Sequence, residues 1–346
     1  MIKKLLLIVL ILVVGRVEAQ SQYNYIDQNA KSVPDHLKTY QEIANHLTKN
    51  LVTPEQKVRA LYVWIAHNVQ YDIHKLNVKK IRSTSDEIIR YVLRNRKGLC
   101  QHYSELFSAM STSIGVKNYL IRGYTRFPNG DIPDNGHSWN AVKIGANYYL
   151  IDITWSAGYA INDRWNHEFR DDYFLIPPKE FIKSHMPFDH TWQFIDNPIS
   201  DREFAYEDFR KLNKKGQFNI TDSIATYEKL AKLKQLQNTY ERIITSTTKN
   251  RFSHNSIEEM KYNLAVESLN YGIKKYNEYV HHKNHKYRKP KIADAVIKDL
   301  IDKALSGIHQ AKRILNEFSP NDNELTEMKL EVLEEIPKYI SVLERE

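Results

Sequence analysis

The sequence predicts an α+β domain followed by an all-α domain in a chain of 346 residues. Apolar residues recur at helical spacing up to about residue 115, and strand-like runs follow them. All five tryptophans lie at or before Trp192, and only three of the eleven glycines follow residue 200. From Thr221 onward the pattern is helical throughout. We therefore expect a mixed domain over 20–199 and a helical domain over 200–346.

Residues 1–19 have the features of a signal peptide. A short basic start leads into an apolar run, Leu5–Val14, which is too short to span a bilayer comfortably. Small residues at Val17 and Ala19 indicate a cleavage site before Gln20, and no cysteine follows it as in a bacterial lipoprotein. We expect a secreted or periplasmic protein without a transmembrane segment after cleavage.

The mixed domain is predicted to begin with helices and continue with strands. Residues 20–32 show little pattern, and Thr53-Pro54-Glu55-Gln56 combines a capping box with proline at the first helical position. Helices are predicted near 37–47, 54–68 and 86–96 and from Cys100 onward. Strands are predicted over 118–126, 137–144 and 148–154. The short connection at Gly145 makes the last two strands an antiparallel hairpin.

The second domain contains four long helical patterns, near 221–247, 256–282, 292–317 and 322–344. Pro337 is expected to kink or shorten the last helix. A basic stretch over 281–291 could meet anionic polymers or lipid head groups, although a solvated loop is the favoured interpretation. We expect no metal site at its histidines, because no nearby carboxylate or cysteine completes a ligand set. No nucleic-acid-binding motif accompanies the stretch, so we expect no nucleic-acid partner.

Cys100 is the only cysteine, and a Gly98–Leu99 turn leads it into an amphipathic helix. The positive end of a helix dipole and free backbone N–H groups favour the thiolate and could hold an oxyanion. A lone cysteine is more often a small buried hydrophobe. In an oxidising compartment, however, an unpaired cysteine indicates a reactive thiol.

His137 and Asp152 are the candidate partners of this thiol. They lie eight residues before and seven residues after Gly145, so antiparallel pairing brings them close together. Singly, they would be a strand-end residue and a turn residue. Together with Cys100 they form the set that acyl transfer needs: a thiolate that attacks, an imidazole that moves a proton and a carboxylate that orients the imidazole.

The order Gly-x-Cys, Gly-His-x-Trp-Asn-x-Val and Asp-x-Thr-Trp resembles the transglutaminase-like superfamily. It is most similar to the bacterial and kyphoscoliosis-peptidase-type branch. The segments 64–72, 173–182 and 185–188 strengthen the resemblance, which covers about residues 50–195. It implies a papain-like transglutaminase core, in which the cysteine helix packs on an antiparallel sheet, with no metal or organic cofactor.

Carried over by position, the resemblance makes Cys100 the nucleophile, His137 the base and Asp152 the acidic orienter. The sequence departs from the family pattern at Gln101-His102 and at Ser156, and these departures bear on substrate fit. Other candidates are less specific and each has a structural alternative. They comprise Trp139, Trp155 and His102 for substrate binding and Trp64 or Gln70 as an oxyanion donor.

The sequence thus predicts a secreted cysteine enzyme that acts on peptide or amide bonds through a thioester on Cys100. We favour a peptidase or amidase, because water is abundant and no amine-binding feature is visible. One alternative is a protein cross-linking transglutaminase with an amine acceptor. Another is a non-catalytic module that binds a protein or a cell-wall polymer, including a helical peptide-binding module. The expected partner is a protein or peptide substrate, with the cell envelope as one source.

Overall fold

The computed structural model describes residues 23–75, 84–133, 135–162, 164–216, 218–246, 251–284, 294–321 and 323–345. These residues divide into two compact units between Pro187 and Phe188. The predicted signal peptide and residues 285–291 of the basic stretch lie outside the described residues. Each unit is described by itself.

The first unit begins with helices. The first, α1, covers 23–30, where the sequence shows little pattern because only Ile26 and Ala30 form its buried face. Four more helices follow: α2 (Tyr40–Thr48), α3 (Pro54–Asn68), α4 (Ser85–Asn95) and α5 (Cys100–Ser113). Threonines cap α2, α3 and α4 in complete capping boxes. The helices predicted near 37–47, 54–68 and 86–96 and from Cys100 onward are confirmed, whereas no helix was predicted where α1 lies.

Helix α3 is the centre of the first unit's core. Its residues 58–66 are all buried, including the charged Arg59. A buried guanidinium is costly unless it is paired. Arg59 meets this requirement through ion pairs of 2.5 Å to Asp27 and to Asp171. These pairs join α1 and the segment around Asp171 to the central helix.

Four antiparallel strands form the main sheet. They are β3 (Asn118–Thr125), β4 (His137–Ile144), β5 (Asn147–Ile151) and β8 (His185–Pro187), in the order β5-β4-β3-β8. Helix α5 packs against β3 and β4, and the Asn140 amide donates to the Ser104 carbonyl at 3.1 Å. The predicted α+β core, with the cysteine helix on an antiparallel sheet, is confirmed.

Short elements complete the unit. Strands β1 (Gln70–Tyr71) and β2 (Lys97–Gly98) pair in parallel, and β6 (Gly158–Ile161) pairs with β7 (Arg164–His167). Helix α6 (Ile153–Ala157) follows β5, and α7 (Pro178–Phe181) precedes β8.

Among its described residues, the second unit consists of helices and connecting loops without a strand. Its helices are α8 (Asp201–Ala205), α9 (Ile220–Glu228), α10 (Lys232–Ser246), α11 (Arg251–Asn284), α12 (Asp294–Asn316) and α13 (Asn323–Leu343). The single helix predicted over 221–247 is two helices. The Gln235 amide donates to the carbonyls of Tyr227 and Leu230. These hydrogen bonds satisfy carbonyl groups at the junction between α9 and α10, where the helix is interrupted.

Helices α11 and α12 approach closely at two glycines. A Cβ atom at Gly307 would lie 2.9 Å from the Gly272 backbone nitrogen, so this crossing requires glycine. Pro337 lies inside α13, which continues to Leu343 rather than ending at the proline. Among the described residues, no helix combines the length and apolar character needed to cross a membrane.

Candidate active site

The turn before α5 places Cys100 at the first position of the helix. Leu99 is the N-cap and has an extended conformation. The backbone N–H of Leu99 donates a hydrogen bond to His102 Nδ1 at 3.2 Å. The Gly98 carbonyl accepts from the Asp72 N–H at 3.0 Å, which ties the turn to β1. A Cβ at Gly98 would lie 2.4 Å from the His102 Cβ, so only glycine fits here. The N–H groups of Cys100 and Gln101 begin the helix beside the thiol, whereas the His102 N–H already donates to the Leu99 carbonyl at 2.8 Å.

The Cys100 side chain is in an environment that favours the thiolate. The sulfur interacts with the His137 ring and accepts from the Ser138 backbone N–H. Burial alone would raise the pKa of the thiol, but the His137 charge and these two hydrogen bonds lower it below its ordinary value.

His137 is at the start of β4, and its side chain is 9% exposed. Its Nε2 atom lies 2.6 Å from Asp152 Oδ2, which leaves Nδ1 for the sulfur. Burial would lower the pKa of the imidazole, but the charges of Asp152 and of the Cys100 thiolate raise it to about 10. The raised pKa of His137 favours the imidazolium, and the lowered pKa of Cys100 favours the thiolate opposite it.

Asp152 is completely buried and ends β5 by capping α6. Its Oδ1 atom accepts from the Trp155 N–H at 3.1 Å. Burial would raise the pKa of the carboxyl, but the charge of His137 and hydrogen bonds from His137 and His185 hold it well below its usual range. The carboxylate therefore stays ionised and stabilises the imidazolium.

His137 and Asp152 meet by a route that differs from the expected direct cross-strand pair. Asn140 lies opposite Ile151 at the end of β5, so Asp152 is one step beyond the paired residues. The strand predicted to reach Thr154 stops at Ile151, because the Asp152 side chain caps α6 by accepting from the Trp155 N–H in its first turn. The capping turn, rather than the ladder, brings the two side chains together.

His185 is a fourth polar member of the site, which residue patterns alone did not single out. It lies on β8 with 1% exposure, and its Nε2 atom is 3.1 Å from Asp152 Oδ2. Its Nδ1 atom is 2.7 Å from the Ser184 hydroxyl. The only sequence signal was the segment 185–188 in the family resemblance. Strand β8 pairs with β3 alone, so no spacing rule connects His185 to the hairpin that holds His137 and Asp152.

The two predicted cleft tryptophans differ in exposure. Trp139 is 1% exposed and packs 5.2 Å from the His185 ring, as a core residue does. Trp155 is partly exposed, with its ring 5.9 Å from His137 and 5.8 Å from Phe127. Phe127 is 42% exposed. A substrate-binding role for either tryptophan stays a prediction, and Trp155 has the more accessible position.

The other predicted residues lie around the cysteine turn. His102 packs 5.5 Å from Tyr91, and burial followed by the charge of Lys75 lowers its pKa to about 4, so it is a neutral acceptor. Trp64 is fully buried in the core, where the Arg96 guanidinium lies 4.7 Å from its ring. The Gln70 side chain is exposed. Their roles in substrate binding or as oxyanion donors stay predictions.

Tyr71 is a polar neighbour that the sequence did not indicate. It pairs with Gly98 in the β1–β2 ladder, and its ring lies 5.6 Å from Trp165. Burial, followed by the negative charges of Cys100 and Asp152, raises the pKa of its hydroxyl. This neutral hydroxyl is a further candidate for contact with a bound acyl group.

His137, Asp152 and His185 also offer the donor types that a metal ion prefers, with ligand atoms within 4.8 Å of one another. Both ring nitrogens, however, lie at hydrogen-bond distances from one carboxylate oxygen, 2.6 and 3.1 Å. Zinc would need a free lone pair from each ring at about 2.0–2.1 Å. The arrangement is that of a satisfied hydrogen-bond network.

Part of the chain matches a known protein family. The family model of the transglutaminase-like superfamily matches residues 41–153, a stretch that includes Cys100, His137 and Asp152. Residues 41–153 are therefore similar to the transglutaminase-like superfamily.

Curated relatives and solved structures are similar over parts of the chain. Kyphoscoliosis peptidase of Homo sapiens is 30% identical over 177 residues, which cover 49% of this chain and 26% of that protein. Hillarin of Drosophila melanogaster is 26% identical over 207 residues, covering 53% and 24%. The chain thus spans about a quarter of the length of these relatives. The periplasmic domain of TgpA from Pseudomonas aeruginosa aligns with a TM-score of 0.28 and 19% identity over 38% of this chain and 47% of that chain.

Proposed function

We propose that this protein is a secreted cysteine peptidase or amidase that acts through a thioester on Cys100. The observation that carries the proposal is the continuous set of contacts from the Cys100 sulfur to the His137 ring and on to the buried Asp152 carboxylate. The set supplies a nucleophile, a proton carrier and an orienting charge, which acyl transfer requires. The transglutaminase-like superfamily includes cysteine peptidases and acyltransferases, which supports this class of reaction.

The first half of the reaction forms the thioester. The thiolate attacks the carbonyl carbon of a peptide or side-chain amide, and negative charge develops on the carbonyl oxygen. The N–H groups of Cys100 and Gln101 at the start of α5 can donate hydrogen bonds to that oxygen. His137 Nδ1 then gives its proton to the leaving nitrogen, the C–N bond breaks, and an amine leaves.

The second half transfers the acyl group to an acceptor. Neutral His137 takes a proton from water as the water oxygen attacks the thioester carbon. The C–S bond breaks, the carboxylic acid leaves, and the thiolate and imidazolium are restored. An amine in place of water would yield a cross-link instead. We favour water as the acceptor because it is abundant. The name of the relative kyphoscoliosis peptidase is consistent with hydrolysis.

The proposal is tested by product analysis on a protein mixture. The mature protein is incubated with casein, with or without a labelled primary amine, and the products are analysed by mass spectrometry. We expect new peptide ends or deamidated side chains that disappear with Cys100→Ala. Incorporation of the amine as the main product would favour the cross-linking alternative. Equal product formation by Cys100→Ala would overturn the proposal, because the products would not depend on the thiol. No products from either protein would overturn it as well and favour the non-catalytic interaction module.

A further inference from the structure

We propose that His185 is a positioning residue, which holds the Asp152 carboxylate so that its Oδ2 atom faces His137. The inference rests on the proposed function, because it concerns the same proton carrier. His185 lies outside the stretch 41–153 that the family model matches. The segment 185–188 belongs to the resemblance seen in the sequence, but only the folded chain places His185 beside Asp152.

The first argument is the number of donors around one carboxylate. Oδ1 of Asp152 is held by the Trp155 N–H at 3.1 Å, and Oδ2 lies 2.6 Å from His137 Nε2 and 3.1 Å from His185 Nε2. With the Trp155 bond alone, the carboxylate could still rotate about its Cβ–Cγ bond. The two imidazoles on Oδ2 fix that rotation and satisfy a charge that is fully buried.

The second argument is the tautomer of His185. An ionised carboxylate only accepts, so the proton must be on His185 Nε2. Nδ1 is then an acceptor, and the Ser184 hydroxyl at 2.7 Å donates to it. The alternative acceptor for that hydroxyl, the Phe181 carbonyl, is farther away at 3.3 Å. Ser184 therefore selects the tautomer that can hold Asp152.

The third argument is that His185 supplies a donor without a charge. The titratable groups that face it are Asp152, His137 and Tyr173, whose pKa is raised to about 12 by burial and by Asp152. Burial lowers the pKa of His185 to about 4 against the opposing effect of Asp152, so the ring is neutral. A cationic side chain in this position would repel the His137 imidazolium. A neutral donor at position 185 leaves the charge of Asp152 available to stabilise the His137 imidazolium.

Three variants at position 185 separate positioning from packing. His185→Phe keeps a ring that can stack on Phe181, 4.0 Å away, but removes the donor. His185→Gln can place an N–H near the position of Nε2, whereas His185→Asn places it near that of Nδ1. In each full-length variant, the rate of Cys100 alkylation by iodoacetamide is measured from about pH 5 to 9.

We expect His185→Phe and His185→Asn to move the acid limb of the profile toward the free-thiol value of about 8.5, and to slow alkylation about tenfold or more at pH 6. We expect His185→Gln to stay within about threefold of the wild type. Phe181→Leu is the packing control, which removes a stacked ring but no polar group, and its profile should match the wild type.

Two results would contradict the inference, and a third addresses the proposed function. If His185→Phe folds and its alkylation profile matches that of the wild type, His185 only fills space. The same follows if His185→Gln and His185→Asn both keep the wild-type profile. A shift of the acid limb to lower pH in His185→Phe would also overturn it. An ordinary thiol profile in the wild type would overturn the proposed function itself, whatever the variants do.

Discussion

The Asp152 carboxylate is removed from water entirely, yet it stays ionised because it accepts hydrogen bonds at both oxygens. Its charge raises the pKa of His137, and the His137 charge lowers the pKa of Cys100. Each ionised group is therefore stabilised by its neighbour. At the scale of single residues, the pH dependence of stability therefore depends directly on the Cys100–His137 pair.

The pair predicts an unusual pH dependence of stability. The lowered pKa of Cys100 stabilises the fold above the unfolded thiol value of about 8.5 and loses that effect as the pH falls. The raised pKa of His137 stabilises it below the unfolded value of about 6.5, an effect lost as the pH rises toward about 10. Between the unfolded values of about 6.5 and 8.5, a folded ion pair and the unfolded neutral pair hold the same number of protons, so the two effects cancel wherever the pair is ionised.

Comparison with Cys100→Ala tests this cancellation. In that variant His137 titrates without its partner thiol, so its stability should fall through the same window while the pair in the wild type contributes no slope. The difference in the free energy of unfolding, wild type minus variant, should rise by up to about 1.4 kcal/mol per pH unit between about pH 6.5 and 8.5. Denaturant titrations at several pH values measure it. A difference that is flat or falls would mean that no ion pair forms.

At the scale of elements, the start of α5 depends on one glycine. The Gly98 carbonyl is hydrogen-bonded to β1, and its Cα faces the His102 side chain that accepts from the Leu99 N–H. We expect Gly98→Ala to displace the first turn and to destabilise the protein by about 1–3 kcal/mol, as overpacking does. We also expect slower alkylation of Cys100, since the sulfur moves away from His137.

Gly272→Ala is the matched control for Gly98→Ala. A Cβ at Gly272 would lie 2.7 Å from Ile308 Cγ1, a comparable conflict at the helix crossing of the second unit. This variant should lose stability but leave the alkylation rate of Cys100 unchanged. If Gly98→Ala alkylates as fast as Gly272→Ala, the turn does not position the thiol.

The sequence predicted these elements to different extents. The hairpin was predictable because Gly145 adopts the positive φ of a tight turn between two strand-like runs. The end of β5 was not, because strand propensity continues to Thr154 while one side chain, Asp152, starts a helix. Capping of this kind depends on where a side chain points, which periodicity does not report.

At the scale of the whole molecule, the α+β core and the helical character of the later chain were predictable from hydrophobic period and composition. His185 was not, because its place beside Asp152 depends on β8 pairing with β3 across a long stretch of chain. The closeness of His137 and Asp152 was expected from counting, and the structure brings them to 2.6 Å. Their catalytic role stays a prediction that only chemistry can test.

Cys100 alkylation across pH in the full mature protein, compared with His137→Ala, tests the central claim most directly. We expect rapid alkylation well below the free-thiol pKa of about 8.5, because the imidazolium of His137 lowers the pKa of the thiol. His137→Ala should remove this advantage and slow alkylation at low pH. A thiol that is inert, or one that alkylates like a free cysteine with or without His137, would contradict the claim that a thiolate–imidazolium pair is assembled.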